Sequence, residues 1–353
     1  MGRKAAIDGQ PRRAVVGAGM WGTTLALQLA RTGPVLLLTR DGEHARQIAQ
    51  EGQNQRHLPG FVLPTQVQVD HRPEALASAD QLVIFAAASS GMRDAAERVA
   101  AHVHREALLV SVAKGIERRS LLRMTEVLGQ VVPESRHRLA ALSGPNLALE
   151  IARGLPASAV VGAADEDVGG RVVDMLATRT FRLYRNRDVI GVELCGALKN
   201  IIAIAAGAAE QLGFGDNGKA GLITRGLAEM TRLGMAAGAN PLTFAGLAGL
   251  GDVVATCFSP LSRNHRLGVE LARGRRWAEI EGTLPGVAEG AYTVTAALDL
   301  ASRLGVQMPI AEEVRAGIFE GKNVRRCVID LLSREQKDEL AGLDWAPRGR
   351  PPR

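Results

Sequence analysis

The chain has 353 residues, enough for two ordinary domains with separate cores. Hydrophobic residues make up 46% and charged ones 23%, which excludes a disordered chain, and with aromatics at only 3% the cores must rest on Ala, Leu, Val and Ile. The net charge of +6 favours anionic ligands, yet much of it sits in Gly2–Arg13 and Arg348–Arg353, and no basic helix or aromatic ladder argues for nucleic acid.

From Ala14 onward, short β-branched runs alternate with amphipathic stretches. Strands are predicted at Ala14–Val16, Val35–Thr39, Leu82–Phe85, Leu108–Val112, Arg138–Leu142 and Ala157–Val161. Helical spacing fills Thr23–Arg31, Glu43–Gln50, Arg93–His104 and Leu121–Leu128. Strands buried on both faces and alternating with helices mean a mostly parallel, doubly wound sheet. After about Ile190 the strands give way to long Ala/Leu/Gly-rich helical stretches such as Gly191–Gln211 and Leu222–Ala237. The fold class is therefore α/β, with a Rossmann-type domain over residues 12–190 and an all-α domain over 191–340. Tails at 1–11 and 341–353 read as disordered.

Five motifs carry chemistry. Gly17-Ala18-Gly19-Met20-Trp21-Gly22 follows the first strand and opens the first helix. Gly17 permits the tight turn, Gly19 lets backbone approach a pyrophosphate, and Gly22 permits close helix–strand packing. A GxGxxG alone is weak, and its strand–turn–helix context is what favours a dinucleotide over a plain turn. Ala113-Lys114-Gly115 and Ser143-Gly144-Pro145-Asn146 each follow a later strand, at the sheet end where ligands bind. Lys114 can meet a phosphate as a point charge, although a solvated loop lysine explains it as well.

Glu193-Leu-Cys-Gly-Ala-Leu-Lys199-Asn200-Ile-Ile-Ala-Ile places Lys199 among small and apolar neighbours. Burial withdraws solvation from an ammonium and makes it a usable general acid/base near neutrality, the bland alternative being a lysine that snorkels to water. Finally, Gly249-Leu-Gly251-Asp252 is followed by Ser262-Arg263-Asn264, a cluster suited to a phosphate or polyol. Its bland reading is a helix cap beside a surface arginine.

At the end of the second strand, Thr39 and Arg40 stand where a strictly NAD-dependent enzyme carries an acid for the ribose hydroxyls. Arg40 can fork onto a 2′-phosphate, so NADPH is expected to serve at least as well as NADH. If the strand ran one residue longer, Asp41 would take the acidic role instead.

Cys195, Cys257 and Cys327 are odd in number, far apart and without a CxxC pair, which argues against a disulfide framework and for a reducing compartment. The seven histidines lack ligand spacing, so no metal is expected, and His102 and His104 read as surface residues. No uninterrupted apolar run reaches bilayer length and the N-terminus lacks the apolar centre of a signal peptide, so the expectation is a soluble cytoplasmic protein without membrane insertion.

The ordered set VVGAGMWGTTLA, AKG, SGPNLALE, ELCGALKNIIAIAAG, GLITRGLAEMTRLG, AGLGD and LSRNHRLG resembles the bacterial glycerol-3-phosphate dehydrogenases from about Ala14 to Leu332. The resemblance implies hydride transfer between NAD or NADP and the pair dihydroxyacetone phosphate and sn-glycerol 3-phosphate, supplying the glycerophospholipid backbone. It implies Lys199 as general acid/base and Lys114, Gly144, Asn146, Asn200, Asp252, Ser262, Arg263 and Asn264 as substrate residues, with Arg263 and Asn264 gripping the phosphate. Gly17, Gly19, Met20, Trp21, Gly22, Arg40, Lys114, Ala148, Arg263, Val287 and Glu289 correspond to cofactor positions. The chain departs from the pattern at Asn146, where Ser or Thr is usual, at Met20, where Ser is commoner, and at Ala88-Ser89-Ser90, usually Pro-Ser-His or similar. A homodimer is the default assembly. Rival readings are another two-domain reductase of the ketopantoate or 3-hydroxyacid type, which would lack the GLGD and SRN pair, or a non-catalytic nucleotide sensor, which would lack Lys199.

Overall fold

The computed structural model describes residues 10–283, 288–335, 338–339 and 341–343, and the chain divides into two compact units, Met1–Glu193 and Leu194–Arg353. The division falls inside one long helix, close to where the sequence changes character. The tails expected at 1–11 and 341–353 lie mostly outside the described residues; Pro11 is buried and its carbonyl accepts a hydrogen bond from Ser78 Oγ at 3.0 Å.

The first unit runs β1 (Arg13–Val16), α1 (Met20–Ala30), β2 (Val35–Leu38), α2 (Gly42–Glu51), β3 (Val67–Asp70), β4 (Leu82–Phe85), α3 (Met92–Val99), β5 (Leu108–Ser111), α4 (Met124–Val131), β6 (Leu139–Ser143), α5 (Ala148–Ala152), β7 (Ala157–Gly162), α6 (Glu166–Leu176) and β8 (Phe181–Asn186). The eight strands form one sheet in the order β3-β2-β1-β4-β5-β6-β7-β8. All neighbours are parallel except β6 and β7. Both faces are buried, as the continuous apolar runs require. Val15, Leu37, Ile84 and Val110 pack into one core cluster, while Ala14, Val16, Leu36, Leu38, Val83, Phe85 and Leu109 pack into the other. Strand order reverses between β2-β1 and β4, so the carboxyl end of β1 opens at a topological switch point.

Two strands escape the sequence reading, and both are at an edge of the sheet. β3 is only half-buried, and β8 alternates buried Phe181 and Leu183 with exposed Arg182 and Tyr184. Neither has the continuous apolar run that marks a strand covered on both faces. The stretch Arg93–His104 is also shorter as a helix than expected: α3 ends at Val99 and a 3-10 turn covers Ala100–His102.

The second unit is helical: most of α7 (Val189–Gln211), then α8 (Gly215–Ala236), α9 (Pro241–Ala245), a π-helical turn at Leu247–Gly251, α10 (Asp252–Phe258), α11 (Arg263–Ala272), α12 (Trp277–Ile280), α13 (Glu289–Arg303), α14 (Pro309–Phe319) and α15 (Val324–Leu332). By length and mean hydropathy α7 is long and apolar enough to cross a membrane, although Glu193, Lys199, Asn200 and Glu210 interrupt its apolar run, and 83% of its most apolar window is buried inside the protein. Its small residues serve close packing. A Cβ on Gly207 would sit 2.0 Å from the His265 carbonyl oxygen, and one on Gly268 would sit 1.9 Å from that of Ile204. α7 and α11 therefore touch backbone to backbone, which brings Asn200 and Asn264 together one to two turns away.

Candidate active site

In the first unit the glycine turn has the shape its sequence demands. Gly17 adopts φ +112°, and a Cβ there would lie 2.9 Å from the Ala86 carbonyl at the end of β4. A Cβ on Gly22 would collide with the Gly17 oxygen at 1.9 Å, so only glycine allows α1 to start so close to β1. Gly19 caps α1 and has nothing within 4 Å of where its Cβ would point. That open face, at a helix N-terminus with its unpaired N–H groups, suits a phosphate. Met20 is 47% exposed beside it. Trp21 packs edge-on against Phe181, and its indole Nε1 is buried without a hydrogen-bond partner.

The end of β2 settles the register around Arg40. The strand stops at Leu38, and Asp41 caps α2, accepting from the Glu43 backbone N–H at 2.9 Å. Thr39 is buried, with its hydroxyl donating to the Asp41 carbonyl at 2.6 Å. Arg40 is exposed, and no hydrogen-bond or ion-pair partner is found for it among the described residues. A second cation lies here that the sequence did not single out: Arg98 donates to the carbonyl oxygens of Thr39 and His71.

Lys114, Gly144 and Asn146 converge after the parallel strands β5 and β6. Lys114 Nζ donates to the Gly144 carbonyl at 2.9 Å and to Asn146 Oδ1 at 2.6 Å. Gly144 has φ +125°, and its Cβ position lies 3.0 Å from the Ala159 Cα. Asn146 is half-buried, and its Nδ2 is enclosed with no acceptor among the described residues. An orphaned buried donor is costly unless something outside the chain takes it. Ala148 opens α5, where its carbonyl accepts from Thr24 Oγ1 at 3.3 Å.

Glu193, which begins the lysine motif, is anchored in the same unit. Its carboxylate accepts from Arg123 Nη1 at 2.6 Å, from the Thr125 N–H at 2.8 Å and from Thr125 Oγ1 at 2.6 Å. Burial pushes the Glu193 carboxyl up, and these donors oppose the shift.

In the helical unit, Lys199 is buried as expected, but its surroundings are not simply apolar. Lys199 Nζ lies 2.9 Å from Asp252 Oδ1 and 2.6 Å from Thr256 Oγ1. Both partners project from α10, one turn apart, and Thr256 is bonded in turn to Asp252 at 3.3 Å. Asp252 supplies the counter-charge that makes burial of the ammonium tolerable. An ammonium has three N–H donors, so this arrangement leaves one for a ligand oxygen. Thr256 was missed by the sequence reading; its signal was the four-residue spacing from Asp252 on a helix. The neighbouring Cys257 thiol is pushed up to about 12, chiefly by burial, which makes thiolate chemistry there unfavourable.

Asn200 and Asn264 are both buried. Asn264 Nδ2 donates to Asn200 Oδ1 at 2.8 Å, and Asn264 Oδ1 accepts from the Gly290 N–H at 3.0 Å. Much of the capacity of Asn264 thus goes into holding α7, α11 and α13 together. Ser262 is the N-cap of α11, accepting from the His265 N–H at 3.2 Å, so the helix-cap reading applies to it. Arg263 stands in the first turn of α11, exposed, and nothing among the described residues pairs with its guanidinium. Glu289 opens α13, and Val287 lies outside the described residues.

Comparison with known proteins identifies the family. The model for the N-terminus of NAD-dependent glycerol-3-phosphate dehydrogenase matches residues 13–169, and that for its C-terminus matches residues 188–329. A relative from Anaeromyxobacter dehalogenans, named glycerol-3-phosphate dehydrogenase (NAD(P)+), is 45% identical over 331 residues, covering 93% of this chain and all of that protein. One of the same name from Streptomyces griseus is 46% identical over 93% of this chain and 98% of its own. A crystal structure of glycerol-3-phosphate dehydrogenase from Coxiella burnetii superposes with a TM-score of 0.86 at 34% identity, covering 91% of this chain and 98% of that one. A ketopantoate reductase from Ralstonia eutropha shares the fold alone, with a TM-score of 0.57 at 19% identity. By two family models and by relatives aligned almost end to end, this chain belongs to the NAD-dependent glycerol-3-phosphate dehydrogenase family.

Proposed function

We propose that this protein reduces dihydroxyacetone phosphate to sn-glycerol 3-phosphate with NAD(P)H, supplying the backbone of glycerophospholipids. The observation that carries this reading is the buried Lys199–Asp252–Thr256 cluster in the same unit as the unpaired Arg263. A positioned proton donor and a guanidinium for a phosphate are what reduction of a phosphorylated ketone needs. The ketopantoate type of reductase has no phosphate to grip.

The residues also fit the cofactor. The open face of Gly19 suits a pyrophosphate, and the enclosed Nδ2 of Asn146 lacks an acceptor that a bound molecule can supply. When bound, the nicotinamide supplies the hydride to the ketone carbon. Lys199 orients the ketone oxygen through its remaining N–H and hands over that proton as negative charge develops on the oxygen. Asp252 and the Thr256 hydroxyl hold the Lys199 nitrogen in place and fix its direction. In the reverse reaction Lys199 takes the hydroxyl proton. Arg263 binds the phosphate, with Asn264 and Ser262 fixing the start of α11 that presents it. Gly17, Gly19, Met20, Trp21, Gly22, Arg40 and Ala148 hold the dinucleotide, while Lys114, Gly144 and Asn146 contact substrate near it. Arg40 makes NADPH at least as good a donor as NADH. The setting is cytoplasmic and the assembly a homodimer, the commonest closed symmetry.

The test follows nicotinamide absorbance with purified protein and dihydroxyacetone phosphate, with ketopantoate as the control. Turnover with the phosphorylated ketone alone supports the reading. Turnover with ketopantoate alone overturns it.

A further inference from the structure

Against the glycine turn lies a polar side chain that no motif reading singles out. Asn54, in the coil that follows α2, has no exposed surface. Its Nδ2 donates to the Ala18 carbonyl at 2.8 Å and to Thr23 Oγ1 at 2.7 Å. The Ala18 carbonyl can only accept, so the nitrogen must face it, which fixes the orientation of the amide. Asn54 Oδ1 then faces His44 Nε2 at 3.0 Å and takes a longer bond from the His57 backbone N–H at 3.3 Å. Because Oδ1 can only accept, His44 must carry a proton on Nε2. Both N–H groups and both lone-pair positions of the amide are used. A buried amide satisfied in this way holds one geometry and strongly resists others.

The groups it grips are telling. Ala18 lies inside Gly17–Gly22, and Thr23 closes the first turn of α1. The turn has few other supports of its own: Gly17 N–H bonds the Leu38 carbonyl at 2.8 Å, and Thr23 N–H bonds the Gly19 carbonyl at 2.9 Å. Asn54 holds the Ala18 carbonyl, which lies between them. In the trans peptide the Gly19 N–H points opposite to the Ala18 oxygen, so the grip of Asn54 fixes the direction of that N–H.

We propose that Asn54 is a positioning residue for dinucleotide binding, holding the Gly17–Gly22 turn in its phosphate-ready shape with His44 as the buttress that locks its amide. The inference rests on reading that turn as the dinucleotide site. Asn54→Asp keeps the shape but replaces the NH2 group, and with it both N–H donors, by an oxygen that repels the Ala18 carbonyl. ADP-ribose, which has the pyrophosphate, should bind this variant at least about tenfold more weakly. Adenosine, which lacks it, should bind within twofold of wild type. In steady state, KM for the cofactor should rise while KM for dihydroxyacetone phosphate stays put. His44→Leu leaves Asn54 in place without its buttress and serves where Asn54→Asp does not fold; the same selective pattern is expected, at about threefold. Calorimetric titration of ADP-ribose and adenosine reads both. A wild-type protein that does not bind ADP-ribose would overturn the dinucleotide reading itself. A wild type that binds, with variants that bind equally well or lose both ligands alike, would overturn the role of Asn54 alone.

Discussion

Lys199 and Asp252 form an ion pair at 2.9 Å in which the two side chains keep only 8% and 3% of their exposure. The pair joins α7 to α10 within one unit, and its neighbour Thr256 completes the lysine's hydrogen bonding on the protein side. Removing one partner of such a pair leaves an uncompensated charge, which typically costs roughly 3–5 kcal/mol of stability.

Lys199→Met should abolish turnover, since it removes the proton donor. A positioned acid/base typically contributes roughly 10²–10⁴-fold, and the loss in kcat should be of that order or larger. ADP-ribose should bind as before, because the glycine turn belongs to the other unit. Because Asp252 loses its ammonium counter-charge, kinetics are measured well below the thermal midpoint. Activity within about threefold of wild type would remove Lys199 from the mechanism.

Arg263→Ala should raise KM for dihydroxyacetone phosphate by at least about tenfold, since a charged hydrogen bond to phosphate is worth roughly 1.5–3 kcal/mol. KM for the cofactor should move far less. Unphosphorylated dihydroxyacetone is the decisive control, because an arginine that grips phosphate has nothing to hold there. Equal damage to both substrates would assign Arg263 another role.

Arg40→Ala should lower kcat/KM with NADPH several-fold and leave NADH nearly unchanged. Asp41 Oδ1 accepts from the Glu43 N–H and caps α2, which supports reading Arg40, rather than Asp41, as the side chain that meets the ribose. Kinetics in both cofactors check this. A wild-type enzyme that strongly rejects NADPH would contradict it.

Glu229 makes stability depend on pH. It is buried in α8 at 3% exposure, with Oε1 accepting from the Ile310 N–H at 2.9 Å. Burial pushes its carboxyl from 4.5 up to about 7, against the pull of that backbone donor. The folded state therefore holds a proton that the unfolded state releases. The stabilisation is fully present below about pH 4.5 and is lost as pH rises through about 7, by at most roughly 3 kcal/mol. Glu229→Gln keeps the acceptor for Ile310 and cannot ionise. Urea denaturation between pH 5 and 8 should show wild type losing stability relative to the variant, and parallel profiles would refute the assignment.

What the sequence by itself determined was whatever depends on local pattern. Runs such as Val35–Leu38 announced strands covered on both faces, because a parallel sheet leaves no polar side for alternation. The spacing of Gly17, Gly19 and Gly22 announced the turn: a Cβ on Gly22 would collide with Gly17 inside the motif itself and one on Gly17 with Ala86, whereas Gly19 faces open space. An apolar helix around Lys199 announced a buried ammonium. Tertiary structure alone decided what that ammonium meets. Asp252 and Thr256 lie 53 and 57 residues away along the chain, and no local period links them to Lys199. Asn54 is likewise 36 residues from the Ala18 carbonyl it holds, and in sequence it is one polar residue in a loop. The half-buried edge strands β3 and β8 were recognisable only through the neighbours that pair with them. A buried polar group must find its partner wherever the fold brings one, so the identity of that partner is a property of the packed chain and not of the residues beside it.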